Sequence, residues 1–84
     1  MNILHMKYAV EVARLGSLNK AADALFIAQP NISRSIKELE SHLGITIFDR
    51  SAKGMVLTPE GEEFISYAQS ILKQIDDVED LYKQ

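Results

Sequence analysis

The 84-residue sequence contains no cysteine, two prolines and four glycines. Without cysteine there are neither disulfides nor thiolate metal sites, so a stable fold must come from packing alone. No apolar run approaches the length of a membrane span, and the apolar residues near the N-terminus are interrupted by His5, Lys7 and Glu11, which is unlike a signal peptide. A cytoplasmic chain is expected. The glycines, Gly16, Gly44, Gly54 and Gly61, stand as isolated punctuation and form no phosphate-cradling loop, and no Ser/His/Asp order suggests a nucleophilic triad. His5 and His42 are far apart in sequence and outside any carboxylate cluster of ligand spacing. Neither an enzyme, nor a cofactor, nor a metal site is therefore expected.

What is present is an ordinary globular composition, 46% hydrophobic and 25% charged, enough for one modest core. The formal charge of -3 is unevenly spread. Residues 1–58 hold seven Lys/Arg against five acids, a net +2, whereas residues 59–84 hold two Lys against seven acids, a net -5. A mildly basic head and an acidic tail are two different surfaces.

The most informative stretch is Gln29 to Leu43. Ile32, Ile36, Leu39 and Leu43 recur at helical spacing and define a buried face, and Pro30 suits a first helical turn because its missing N–H would have had no partner. The opposite face carries Asn31, Ser33, Arg34 and Lys37, short polar groups and two cations suited to base edges and phosphates. Gln29 and Asn31 have capping as their alternative use, and Lys37 is as well explained as a solvated lysine.

Before this stretch, residues 3–15 are apolar around much of a helix, which predicts contact on more than one side. Gly16 suits the helix end, and Ser17 can cap a short second helix, LNKAADALF, whose Ala21, Ala22 and Leu25 permit close packing. Only Ile27 and Ala28 separate it from Gln29, which is a helix-turn-helix pattern. After Gly44, the β-branched Ile45, Thr46 and Ile47 and the returning MVL predict a hairpin over residues 45–57, with SAKG as its turn and Arg50 and Lys53 at or beside the tip. Such a hairpin is a wing, placed to reach a neighbouring phosphate or a minor groove.

Thr58 and Pro59 open a last helix as cap and first-turn proline, with Glu60, Glu62 and Glu63 favourable at the positive end of its dipole. Phe64, Ala68, Ile71, Ile75, Val78 and Tyr82 then repeat as a heptad seam. A helix over residues 59–84 is about 39 Å long, too long for so small a head to cover, and its seam is assigned to the same helix of a second chain. The expected fold is therefore mainly α: a winged helix-turn-helix of three helices plus a two-stranded hairpin over residues 1–58, followed by a linker and dimerisation helix over residues 59–84.

In the order and wording of these elements the chain resembles the N-terminal DNA-binding domain of LysR-type bacterial transcriptional regulators. The resemblance is carried by GSLNKAADAL (Gly16 to Leu25), QPNISRSIKELESHLG (Gln29 to Gly44), IFDR (Ile47 to Arg50) and LTPEG (Leu57 to Gly61). It implies sequence-specific binding to double-stranded DNA by a homodimer, with the start of the third helix in the major groove. Gln29, Pro30, Asn31, Ser33 and Arg34 then inherit base and phosphate contacts, and Arg50 and Lys53 the wing contacts; Ser17, Asn19 and Lys37 complete the expected set. Full-length members add a C-terminal domain that senses a small-molecule coinducer, and since no stop signal closes the last helix, the chain is read as a fragment of such a regulator. Departures from the family pattern are Ala28 where Ser or Thr is usual, Asn19 where a hydroxyl is frequent, and Asn31 where a small residue or proline is frequent. With no hydroxyl at position 28, entry to the third helix is expected to depend on Gln29. Asn31, able to pair bidentately with adenine, is expected to alter base preference. A winged-helix module that dimerises but turns its polar face to another protein is the alternative.

Overall fold

In the computed structural model, which describes residues 1–51 and 53–83, Asn2 opens the first helix, α1 (Ile3–Leu15). Its Oδ1 accepts from the N–H groups of Leu4 and His5 at 2.8 and 3.2 Å, satisfying donors that the first turn leaves free. Gly16 ends α1 in the left-handed region at φ 67°. Ser17 caps α2 (Leu18–Leu25), its hydroxyl accepting from the Lys20 N–H at 3.1 Å. Phe26, which composition places inside the second helix, instead turns left-handed at φ 57° and closes α2 one position earlier.

The third helix, α3 (Gln29–Leu43), begins from Ala28 without any side-chain cap. Gln29 does not replace the missing hydroxyl, because it is already the first helical residue, and the backbone carbonyl of Ala28 accepts from Asn31 and Ile32. Gly44, at φ 70°, ends α3 and donates to the Glu40 carbonyl at 2.8 Å.

The hairpin is shorter than its β-branched composition suggests. Its strands are β1 (Phe48–Asp49) and β2 (Val56–Leu57), antiparallel, with Phe48 opposite Leu57 and Asp49 opposite Val56. Ile45 to Ile47 lie outside the ladder because their backbone groups bond elsewhere. The Ile45 N–H reaches the Glu40 carbonyl, the Ile47 N–H the Glu40 carboxylate, and the Ile47 carbonyl accepts from the Thr58 N–H. Ile47 and Phe48 are both buried, so the alternation of a half-exposed strand is absent. Within the expected SAKG turn, Ala52 lies outside the described residues, and Gly54 takes φ 82°.

The last helix, α4 (Pro59–Tyr82), starts at Thr58, whose hydroxyl accepts from the Gly61 N–H at 2.9 Å and donates to the carbonyls of Thr46 and Ile47. It ends at Tyr82, with Lys83 as its cap; the expectation of helix to residue 84 falls at Gln84 outside the described residues. The helix is about 36 Å long at 1.5 Å per residue, against a longest molecular extent of 46 Å.

The core forms where α1 packs against α2, α3 and α4. Val12, Ala21, Ile32, Ile36, Leu39, Ile47, Phe48 and Ile65 fill it, and the described residues leave no polar or charged side chain fully buried. The structure is thus a winged helix-turn-helix with a projecting fourth helix, and among its described residues no helix is long and apolar enough to cross a membrane.

Candidate nucleic-acid interface

Burial divides α3 as its spacing predicts. Ile32, Ile36 and Leu39 face the core, while Pro30, Asn31, Arg34 and Lys37 are exposed and Gln29 and Ser33 half-buried. Because residues three apart share a helix face, Asn31 Oδ1 accepts a hydrogen bond from Arg34 Nη2. That bond occupies the Asn31 acceptor and leaves its amide donors free to meet acceptor groups such as those on base edges. Lys37 and Lys53 are exposed and have no ion-pair partner among the described residues.

Beside α3, the start of α2 and the wing enclose an open groove of about 370 Å³ lined by Ser17, Leu18, Asn19, Gln29, Arg50, Gly54 and Met55. Five of the ten residues nominated from the sequence therefore stand on or bond into one depression: Ser17, Asn19, Gln29 and Arg50 line it, and Ser33 accepts from Arg50 Nη1 at 3.2 Å. Ser17 uses one lone pair on its cap and retains a hydroxyl proton for an acceptor in the groove. The Met55 N–H donates to the Gly16 carbonyl at 3.3 Å, tying the wing to the corner between α1 and α2.

Arg50 is not a free residue of the wing tip. Besides its bond to Ser33, its Nη2 lies 3.8 Å from Glu40 Oε1, with side chains 30% and 16% exposed respectively. The other Glu40 oxygen accepts from the Ile47 N–H at 2.7 Å and the Phe48 N–H at 3.3 Å. Sequence reading missed Glu40, counting it only as one of the acids of the head. The available signal was its place four residues after Ile36, one helical turn on from a residue of the buried face.

Elsewhere in the head, hydrogen bonds lower the pKa of two acids. The hydrogen bond from Arg14, aided by its charge, keeps the Glu11 carboxyl below its ordinary pKa despite slight opposing desolvation, and hydrogen bonds from the Ser51 side chain and backbone do the same for Asp49. The Asp49 bonds draw Ser51 back onto the end of β1.

Along α4 the nominated seam divides in two. Ala68 is 0% exposed and Phe64 half-buried against the head's own core, so the same chain covers its upper part, together with Ile65, which the heptad reading left out. Ala68 has no surface left for a second chain. Below it Ile71, Val78 and Tyr82 are exposed, and Ile71, Ile75 and Val78 with Gln74 and Glu79 line a shallow apolar groove of about 340 Å³.

Comparison with known proteins places this geometry. The family model for bacterial regulatory helix-turn-helix proteins of the lysR family matches residues 3–62. The chain is 49% identical over 78 residues to an uncharacterized HTH-type transcriptional regulator, YcgK of Bacillus subtilis (strain 168), covering 93% of this chain and 24% of that protein. It is 40% identical over 84 residues to the HTH-type transcriptional regulator BenM of Acinetobacter baylyi, covering 100% of this chain and 28% of BenM. The chain thus spans about a quarter of the length of these curated relatives. A crystal structure of the BenM DNA-binding domain in complex with catB site 1 DNA superposes with a TM-score of 0.95 at 41% identity, covering 99% of this chain and 92% of that one.

Proposed function

The chain belongs to the LysR family of bacterial regulatory helix-turn-helix proteins, and from that premise we propose that it binds double-stranded DNA sequence-specifically as the N-terminal domain of a transcriptional regulator. The observation that carries this reading is the division of α3, whose apolar side is sealed in the core while Pro30, Asn31, Arg34 and Lys37 stand exposed beside the Arg50 groove. That the BenM DNA-binding domain, so similar in fold, has been solved in complex with DNA supports the DNA-binding reading.

In this reading residues 1–58 are the DNA-binding head and residues 59–84 the linker helix. The start of α3 enters the major groove, with Gln29, Asn31 and Arg34 at base edges or phosphates and Pro30 in van der Waals contact. Ser17, Asn19, Ser33 and Lys37 hold the flanking backbone. Arg50 and Lys53 bring the wing to the adjacent backbone or minor groove. Two chains pair through Ile71, Ile75, Val78 and Tyr82, so that two α3 helices address successive major grooves of a roughly palindromic site. The domain acts by binding rather than catalysis, in the cytoplasm, and any coinducer is sensed by a further domain of the whole regulator.

The test is selection of bound sequences from a random duplex pool, followed by titration of the recovered duplex across a salt series. An inverted repeat and a steep loss of affinity with salt, through counterion release, are expected. Weak salt dependence with no enriched sequence would favour instead a polar face that engages another protein.

A further inference from the structure

We propose that Glu40 is a positioning residue for DNA binding, acting through Arg50; the role rests on the DNA-binding reading above. Its carboxylate divides its work between two oxygens. Oε2 accepts from the Ile47 and Phe48 N–H groups and so fixes where β1 begins, while Oε1 lies 3.8 Å from Arg50 Nη2 and draws the guanidinium toward α3. Ser33 holds the same guanidinium from another side through Nη1 at 3.2 Å. A long arginine side chain on a short wing has many rotamers, and confining it before the duplex arrives removes an ordering cost from binding. The guanidinium carries more donors than these two partners use, and the rest remain for a phosphate in the groove that Arg50 lines.

Electrostatics supplies a test of sign. Glu40 is a negative charge beside a surface meant for a polyanion, so neutralising it should by simple Coulomb repulsion strengthen binding. Positioning predicts the opposite. In Glu40→Gln the amide oxygen continues to accept from Ile47 and Phe48, because the reversed amide would set donor against donor; its NH₂ then faces the Arg50 guanidinium and repels it. The backbone anchor survives, and the arginine keeps its Ser33 bond but loses the carboxylate that draws it toward α3.

The experiment measures, by fluorescence anisotropy on the duplex selected by the wild-type chain, the affinities of wild type, Glu40→Gln, Arg50→Ala and the double variant, with circular dichroism melts as the folding control. Glu40→Gln should lose affinity roughly three- to tenfold, within what coupling inside one charge network carries, and should cause no further loss when Arg50 is already alanine. The Arg50 side-chain N–H resonance of the free protein, read by NMR, should shift in Glu40→Gln without DNA present. Wild-type or tighter binding by Glu40→Gln, or an equal loss in both backgrounds, would overturn the positioning role alone. Absence of salt-dependent duplex binding by the wild type would instead overturn the functional reading, and the proposal with it.

Discussion

Adding a single methyl group at Gly61 should damage this fold more than its place in a helix suggests. A Cβ built at Gly61 would lie 2.0 Å from the Ile47 carbonyl oxygen and 2.9 Å from its carbon, where ordinary van der Waals contact begins near 3.4 Å. More than an ångström of separation must open between α4 and the entry to β1, and both neighbours are main chain. The same Ile47 carbonyl accepts from the Thr58 N–H at 3.0 Å and from the Thr58 hydroxyl at 3.3 Å, so the shift also strains the start of α4. Overpacking of this kind costs about 1–3 kcal/mol, and a weakened hydrogen bond about 1 kcal/mol more. Alanine's better helix propensity offsets about 1 kcal/mol. The net expectation for Gly61→Ala is destabilisation by about 1–3 kcal/mol. In a domain of this size that lowers the melting temperature on the order of 5–25 °C. Thermal circular dichroism at matched protein concentration measures it, with Gly44→Ala as the comparison. Gly44 has no atom within 4 Å of its notional Cβ, so its substitution carries only the strain of φ 70°, about 1–2 kcal/mol. A Gly61→Ala protein that melts with the wild type would refute the close approach of Ile47 to α4.

Other expectations concern binding, assembly and pH. Arg34→Ala should weaken binding to the selected duplex by on the order of 1–3 kcal/mol while leaving the melt unchanged, since Arg34 is exposed and among the described residues bonds only to Asn31; unchanged anisotropy titrations would remove it from the interface. Ile71→Asp or Ile75→Asp should convert a dimer to monomer in sedimentation velocity at micromolar concentration without unfolding the head, and a persisting dimer would mean that chains pair elsewhere. Because the folded-state pKa values of Glu11 and Asp49 lie below their unfolded values, the stability they contribute is present above the ordinary carboxylate range and is lost as pH falls through it, below about pH 4. Melting temperature should therefore rise with pH across the acid limb. Asp49→Asn should flatten that rise, and an unaltered acid limb would show that the Ser51 bonds do not persist in solution.

Elements whose ends are set by local chemistry were legible in the sequence. Gly16, Gly44 and the Thr58–Pro59 pair each act within one helical turn, and the structure uses all of them as caps or first-turn residues. Legibility stopped where a distant partner decides. Ile45 to Ile47 have strand composition, but a carboxylate from α3 and the cap of α4 claim their backbone first. Gly61 reads as punctuation, yet it is required by a carbonyl fourteen positions away in sequence. A heptad repeat states which residues share a face, not what covers that face; the α4 repeat is continuous through Ala68 and Ile71, although one packs on its own head and the other is exposed. In the candidate site, exposed Arg34 and Lys37 followed from the period of α3. The tether that draws Arg50 away from the wing tip depends on a fold-level approach of β1 to α3 that no spacing encodes.

The single hydroxyl of Thr58 serves both the first turn of α4 and the carbonyls that precede β1, so shaft and head meet in a joint with little play. Were two chains to pair along their shafts as proposed, such joints would make the assembly a caliper whose jaws are the two α3 helices. A shaft about 36 Å long tilted by roughly 10° swings its head by about 6 Å, close to the rise of one helical turn. The gap between half-sites would then be gauged by the angle between two rods, and a modest scissoring at the far end would be enough to take the jaws out of register with the grooves.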